Sequence, residues 1–400
     1  MNMDHFDVAV IGAGPAGSMA ARYAAKAGAS TLLLEEHAAA GWPVQCAGLL
    51  GVQCAGLLGA RALAESELPA GSFIISGMRG ATIFSPGGVR LDFKARDRKA
   101  WVVDRRLFDR ALVEQALKEE VVFRPCTRVQ EIRRSRERST LTLSEGEEIS
   151  AGVVISAEGV SALLARRGGI ASPQIILSGA QVEAPFSVED PEKVEVHLGQ
   201  APGLFAWVIP IGEARARIGL CAIDSGCERL RAFLKTDAIR KRLQGSPLAL
   251  NVGGLPLGPP AATAVAGLLA VGDAAGQVKP TSGGGIYPGL VAAKIAGGVA
   301  AAAAMEGDAS SERLMEYDQL WRAAVGSELE IGMRVNRMMN KMKAAETDEL
   351  IGCLAGRPGL IKTIEEYGDI DRPSKLMARL LPHLGWDAIR LARLLGYALG

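Results

Sequence analysis

Two stretches of this chain set glycine and acid where a dinucleotide needs them. Val8-Ala9-Val10-Ile11 runs into Gly12-Ala13-Gly14-Pro15-Ala16-Gly17, and the next apolar run, Leu32-Leu33-Leu34, ends at Glu35 and Glu36. In a strand–turn–helix, Gly12 permits the tight turn, Gly14 lets the backbone approach a pyrophosphate, and Gly17 lets the helix pack on the strand. The free N–H groups of a helix over 15–27 then face the phosphates, and Glu35 stands where an acid binds a ribose hydroxyl. The second stretch, Leu268-Leu269-Ala270-Val271, leads into Gly272-Asp273, and Thr281-Ser282-Gly283-Gly284-Gly285-Ile286-Tyr287-Pro288-Gly289 follows. Alone, Gly272-Asp273 reads as a strand-to-helix turn with an N-cap aspartate. Paired with the first stretch, it reads as the other half of one site for a flavin dinucleotide.

In that reading Asp273 meets the ribityl chain, and Gly284, Gly285 and Ile286 open a helix toward the isoalloxazine ring. Only one G-x-G-x-x-G follows a strand, so no second nucleotide domain is expected and a nicotinamide donor would have to visit. Residues 73–93 alternate apolar and polar side chains around Pro86-Gly87-Gly88, the pattern of a hairpin. Residues 104–118 read as a helix with Leu107, Phe108, Ala111, Leu112 and Ala116 on one face. Strands are expected at 121–123, 140–143 and 153–155, and an antiparallel sheet over 175–223. From 310 the chain reads as helical, with breaks at Pro358-Gly359 and between Asp371 and Pro373. The expected organisation is an α/β nucleotide-binding domain from 1–72, 94–170 and 260–308. It is interrupted by an antiparallel-sheet substrate domain, 73–93 plus 171–259, and followed by a helical region, 309–400.

Four hundred residues can bury a large core, and a net charge of +1 gives no support for a nucleic-acid partner. The N-terminus lacks the charged and apolar regions of a signal peptide. The most apolar stretch, 286–305, contains Lys294 and several glycines, which favours a buried helix over a membrane span. The six cysteines, Cys46, Cys54, Cys126, Cys221, Cys227 and Cys353, show no C-x-x-C, and with four histidines no metal site is expected. An identical octapeptide repeats at 44–51 and 52–59, too short for a solenoid unit; a recent local duplication or a sequencing artefact is the simplest account.

The chain resembles the geranylgeranyl reductase family of flavoproteins, closest to the archaeal digeranylgeranylglycerophospholipid reductases, on residues 1 to about 340. Pro43-Val44-Gln45-Cys46-Ala47-Gly48 resembles the family's cysteine-bearing loop near the flavin. Arg105, Phe108 and Asp109 match an R-x-x-F-D pattern whose arginine approaches the flavin nucleotide. Pro202-Gly203-Leu204-Phe205-Ala206-Trp207-Val208-Ile209-Pro210 resembles the P-x-x-Y-x-W-x-F-P signature of the prenyl pocket. Phe205 and Ile209 depart from the family's Tyr and Phe, and Glu158-Gly159 stands where Asp-Gly is usual.

The resemblance implies a Rossmann-type FAD-binding domain of the para-hydroxybenzoate-hydroxylase-like fold. It implies FAD held by Gly12, Gly14, Ala16, Gly17, Glu35, Glu36, Cys46, Ala47, Gly48, Arg105, Val129, Glu158, Gly159, Asp273, Gly284, Gly285 and Ile286. Phe205, Trp207 and Pro210 would line the substrate pocket, although such an aromatic pair is also what a plain strand core contains. Cys46 alone would be a small buried hydrophobe, and Arg105 alone a surface charge at a helix start. The implied reaction is saturation of the isolated C=C bonds of geranylgeranyl chains on archaeal-type glycerophospholipids. The alternatives are geranylgeranyl diphosphate or a prenyl quinone as substrate, flavin monooxygenation, or a prenyl carrier without catalysis.

An isolated alkene has no carbonyl to polarise, so hydride from reduced flavin must be matched by a proton on the other carbon. Cys46, Cys54 and Tyr287 are the candidates, with flavin or water as rivals. The electron donor is external: ferredoxin, a deazaflavin or NAD(P)H. At about 0.8 kcal/mol per CH2, a twenty-carbon chain gains on the order of 10–16 kcal/mol on leaving water, and loses nearly as much on leaving a bilayer. Work at the membrane surface is therefore expected, by a protein expected to be cytoplasmic and monomeric. Met333, Met338, Met339 and Met342 interleave with Arg334, Arg337, Lys341 and Lys343, and basic residues recur from Arg372 to Arg393. Both stretches suit membrane docking, and equally suit ordinary amphipathic helices.

Overall fold

The computed structural model describes residues 4–41, 56–135 and 138–380. The chain opens with β1 (Asp4–Ile11), α1 (Pro15–Lys26) and β2 (Thr31–Leu34), the βαβ unit set by the apolar runs either side of the glycines. Next come β3 (Leu57–Gly59), α2 (Ala60–Glu65), β4 (Ile74–Met78), β5 (Gly80–Phe84), β6 (Arg90–Lys94) and β7 (Ala100–Val103). Then α3 (Arg105–Leu117) is N-capped by Asp104, whose side chain accepts from the Arg106 and Leu107 N–H groups. After it lie β8 (Val122–Arg124), β9 (Val129–Arg134), β10 (Ser139–Leu143), β11 (Glu148–Ser156) and α4 (Leu163–Arg167).

The middle of the chain supplies β12 (Ile175–Pro185), β13 (Lys193–His197), β14 (Gly203–Pro210), β15 (Arg215–Ala222), α5 (Gly226–Lys235), α6 (Asp237–Arg240) and β16 (Ala249–Leu257). It returns through β17 (Ala264–Val265) and β18 (Leu268–Ala270) to α7 (Ile286–Glu306). The rest is helical: α8 (Ser311–Trp321), α9 (Ser327–Lys341), α10 (Ala344–Ala355), α11 (Pro358–Tyr367) and α12 (Pro373–Leu380). A π-type turn, Arg322–Gly326, joins α8 to α9 without leaving helical dihedrals, so 311–341 is one rod. The prolines at 358 and 373 start α11 and α12, as their missing N–H groups and fixed φ favour.

Three sheets result. The first runs β17-β18-β11-β1-β2-β8, parallel from β18 to β8, with β10 and β9 continuing antiparallel from β11. The second runs β16-β12-β15-β14-β13-β5-β6 and is antiparallel except where β13 meets β5. The third is small: β3-β7-β4. The expected hairpin over 73–93 is thus divided. Its half around Pro86-Gly87-Gly88 is the β5–β6 hairpin, whereas 74–78 pairs with β7. The alternation in β4 reflects a half-buried strand, and that pattern carries no information about the partner.

The parallel sheet is buried on both faces. One face packs under α1, α3 and α7 with Val8, Val10, Leu33, Val153 and Ile155; the other packs Ala9, Leu32, Leu34 and Val154 against α4. α7 is apolar on all sides, as a helix in a large core can be. It is long and apolar enough to cross a membrane, but lies mostly buried against α1 and α8. α8 adds Leu314, Tyr317 and Trp321 to the same core. The second sheet buries Ala206 and Val208 toward α5, and Trp207 and Ile209 toward Met78, Val102, Val278 and Met333.

Candidate functional site: a two-sided dinucleotide cradle

The first half of the site is made by close backbone contact. Gly12 has φ +99°, and a Cβ on it would lie 2.4 Å from the Ala157 carbonyl oxygen at the end of β11. A Cβ on Gly17 would lie 1.8 Å from the Gly12 oxygen, so α1 sits directly on the turn that precedes it. Gly14 differs: a Cβ there meets no atom within 4 Å. Internal packing requires glycine at 12 and 17, whereas position 14 is open to something approaching from outside. The first turn of α1 contains no acid and its N-cap has no side-chain cap, so its N–H groups and dipole suit an anion.

Glu35 is drawn into this turn. Its Oε2 accepts from the Ala13 N–H at 2.8 Å, and its Oε1 lies 3.0 Å from the His37 N–H and 2.6 Å from His37 Nδ1. Glu36 faces outward, 3.6 Å from Arg128. Val129 is buried at the start of β9 with Ile11 and Leu34. Ala157, which sequence reasoning did not single out, is the residue packed on Gly12 and Gly17. Glu158 caps α4: its carboxylate takes the Ser156 hydroxyl at 2.6 Å and the Leu164 and Ala165 N–H groups at 2.9 and 3.0 Å. Gly159 follows in a 3-10 turn with φ +68°.

The second half meets the first. Gly272, at φ +68°, would put a Cβ 2.9 Å from the Ala16 Cβ, so the Gly-Asp turn abuts the N-terminus of α1. A buried hydrogen-bond chain fixes that turn. The Gly272 N–H donates to Gln277 Oε1 at 2.7 Å, Gln277 Nε2 donates to the Tyr317 hydroxyl at 2.9 Å, and that hydroxyl donates to the Ala270 oxygen at 2.8 Å. Sequence reasoning missed both side chains, and no local signal marks them: Tyr317 lies on α8, 40 residues beyond Gln277. Burial pushes the Tyr317 hydroxyl well above its ordinary range and keeps it protonated.

Asp273 has different surroundings. Burial pushes its carboxyl up to about 6, and only the charge of Arg105 pulls it back. A Cβ on Gly285 would lie 2.8 Å from Asp273 Oδ1, which puts this carboxylate directly over the glycine-rich start of α7. Arg105, at the first position of α3, donates from Nε and Nη2 to Asp109 at 2.8 and 2.9 Å. Burial pushes the Asp109 carboxyl up and Arg105 pulls it down.

The substrate-side residues lie beyond the glycine-rich loop. Phe205 and Trp207 share one face of β14, with ring centroids 6.3 Å apart and edge-to-face. Pro210 ends the strand and is buried. Leu204 lies 3.2 Å from where a Cβ on Gly283 would be, so β14 and the loop touch. Asn336 of α9 joins them: its Nδ2 donates to the Gly203 oxygen at 2.7 Å and to the Pro280 oxygen at 3.0 Å. Asn340 accepts from the Gly203 N–H at 2.6 Å.

Tyr287 is buried in the nucleotide-domain core, and its hydroxyl accepts from Arg372 Nη2 at 3.1 Å. It belongs to a different cluster from Phe205 and Trp207, on the side covered by the segment before α12. That segment is anchored by a buried ion pair, Lys279 Nζ to Asp371 Oδ1 at 2.6 Å. Lys279 also donates to the Ile370 oxygen at 2.9 Å, and Asp371 Oδ2 accepts from the Ala62 N–H at 3.1 Å. Cys46, Ala47, Gly48 and Cys54 lie outside the described residues. Among the described residues no group of His, Cys, Asp or Glu could hold a metal.

The residues present fit a flavin dinucleotide. Gly14 leaves room for a pyrophosphate beside an uncapped helix end, and Asp273 offers a desolvated carboxylate to hydroxyl donors. Residues 5–246 match the family model described as an FAD binding domain. The digeranylgeranylglycerophospholipid reductase of Methanocaldococcus jannaschii is 34% identical, covering 88% of this chain and 91% of that protein. Digeranylgeranylglycerophospholipid reductase 1 of Methanopyrus kandleri is 32% identical over 90% of this chain and 97% of its own length. A geranylgeranyl bacteriochlorophyll reductase-like protein from Thermoplasma acidophilum superposes with a TM-score of 0.83 at 23% identity, covering 98% of this chain and all of that one. A halogenase in complex with FAD shares the fold more distantly, at a TM-score of 0.67 and 16% identity over 91% of this chain and 84% of its own.

Fold and cradle together define an FAD-dependent oxidoreductase. Within that class, the chain belongs to the digeranylgeranylglycerophospholipid reductase family.

Two outcomes follow from this geometry. An ordinary aspartate titrates near 4. Between about pH 4 and 6 the unfolded chain has therefore released a proton that folded, flavin-free protein still holds at Asp273. Stability falls by about 2–3 kcal/mol as pH rises across that window. Thermal melts of flavin-free D273N across pH 3.5–7 should lack this component, seen as the difference from wild type. Separately, D371N leaves Lys279 buried without its countercharge and should cost about 3–5 kcal/mol. The double variant K279M/D371L should recover most of the lost Tm.

Proposed function

We propose that this protein saturates the isolated C=C bonds of geranylgeranyl chains carried on an archaeal-type glycerophospholipid. The observation that carries this reading is the contact of the apolar face of β14 with the loop that starts α7. Leu204 meets Gly283 there, and Phe205, Trp207 and Ile209 pack in the same apolar layer among aliphatic side chains. A hydrocarbon chain needs such a lining, because its affinity comes from apolar burial and not from hydrogen bonds. Relatives 32–34% identical over about nine-tenths of this chain are named for a lipid of this kind, which supports the assignment.

Reduced FAD, when bound, supplies the hydride. The chain's own residues bind, orient and keep water out. Gly14 and the start of α1 would hold the dinucleotide by its phosphates, on the turn that Gly12 and Gly17 permit, and Glu35 and Asp273 would accept from sugar and ribityl hydroxyls. The proton for the second alkene carbon is assigned to Cys46 or Cys54 of the repeated loop, or to Tyr287. Tyr287 alone lies among the described residues, with its hydroxyl beside the Arg372 guanidinium. The electron donor is external, a ferredoxin, a deazaflavin or NAD(P)H, and the protein works as a monomer at the cytoplasmic face of a membrane, where its substrate resides. In support, the described residues carry one strand-borne glycine fingerprint, and FAD takes it.

The test is mass spectrometry of a digeranylgeranyl glycerophospholipid incubated with dithionite-reduced holoprotein. A gain of two hydrogens per alkene is the expected result. An unchanged lipid mass with FAD still bound would overturn the assignment. Oxygen uptake coupled to nicotinamide oxidation would move the protein to monooxygenase chemistry.

A further inference from the structure

The register of the second sheet places Trp207 of β14 directly beside Gly219 of β15, and Gly219 directly beside Gln181 of β12. Neighbours in one such row point to the same face of the sheet. Trp207 Nε1 donates to Gln181 Oε1 at 2.9 Å, so the indole reaches over the intervening strand, across roughly 9.5 Å of sheet. A Cβ on Gly219 would stand 2.7 Å from Trp207 Cζ2 and 2.8 Å from Cε2. The six-membered ring therefore lies on the bare backbone of Gly219. Gln181 is 3% exposed and Trp207 7%, so this hydrogen bond forms away from solvent, where an unpaired indole N–H is costly. The indole also packs edge-to-face with Phe205, in the apolar layer that contains Val278 and Met333.

We infer that Gly219 and Gln181 are specificity-determining residues that act through Trp207. Together they lay the indole flat, as a floor along which an isoprenoid chain can run. A side chain at 219 would prop the ring away from the sheet by about a bond length, roughly 1.5 Å. Loss of the Gln181 acceptor would release its far edge. Either change narrows the space above the floor, and a methyl-branched chain, thicker than a linear one, suffers first. This inference rests on the reading of β14 as the lining of the prenyl site.

The test is a pair of double-variant cycles on the holoenzyme. In the wild-type background, G219A and Q181M should each raise KM for the digeranylgeranyl lipid by about tenfold. Turnover at saturating lipid should stay within about twofold, and the FAD absorption spectrum should not change. In a W207F background no ring spans Gly219, so neither substitution should raise KM further. Equal KM penalties with and without the indole would overturn the inference.

The indole can also be followed without substrate. The chain has five tryptophans, and 19F NMR of 5-fluorotryptophan-labelled protein identifies the Trp207 resonance by its loss in W207F. That resonance should shift in G219A and in Q181M; an unmoved resonance would overturn the inference. If wild type leaves the lipid unreduced while the resonance does shift, the failure lies in the substrate assignment, and the specificity claim falls with it.

Discussion

Nothing larger than a methyl group fits where β1, α1 and the turn at Gly272 come together. The Gly12 carbonyl occupies the space a Cβ on Gly17 would need, Ala157 occupies the space beside Gly12, and Ala16 meets Gly272. Everything functional is arranged around this bare-backbone junction. It brings an N-terminal helix end and a turn some 260 residues later into one cavity wall. Because these contacts are backbone, or a single methyl, against backbone, they tolerate little adjustment, and close-packed interiors transmit small displacements rather than absorb them. The positions of Asp273, the α7 start and the open side of Gly14 all follow from it.

What holds the second half in place comes largely from the C-terminal helices. Tyr317 of α8 supplies the hydroxyl that fixes Gln277, Asn336 of α9 ties the Pro280 carbonyl to Gly203, and Asp371 before α12 neutralises Lys279. These three contacts fall on one short loop, 277–280, between the Gly-Asp turn and the glycine-rich start of α7. Val278 anchors this loop in the apolar core, and the polar groups buried beside it hold its shape only when they are satisfied. The helices act as a rigid frame whose inward polar side chains complete that loop.

The parts of the site that could be read from sequence are those made by backbone. Gly12, Gly14 and Gly17 announce a turn, a close approach and a packing contact by residue type alone, and the apolar runs announce buried parallel strands. Side chains whose partners are distant could not be read. Gln277 looks like any polar loop residue until Tyr317 is brought beside it. Glu158 stands at a position that resemblance assigns to the cofactor, yet Ser156, Leu164 and Ala165 claim its carboxylate. Strand pairing was similarly hidden, since alternation in 73–93 marks half-buried strands without saying that β4 joins β7. On β14, the face shared by Phe205 and Trp207 was legible from period two. That Trp207 lies across Gly219 was not, because register between strands is a tertiary property.

The dependence of loop 277–280 on Tyr317, Asn336 and Asp371 also bears on how the protein is made. Synthesis proceeds from the N-terminus, and domains generally fold as units while the chain emerges. The strand–turn–helix at residues 4–26 is complete early, but its counterpart lacks its hydrogen-bond partners until residue 371 has left the ribosome. Completion of the cradle is thereby deferred until those helices have emerged. A nascent chain that stops short of residue 371 carries only its first half fully supported.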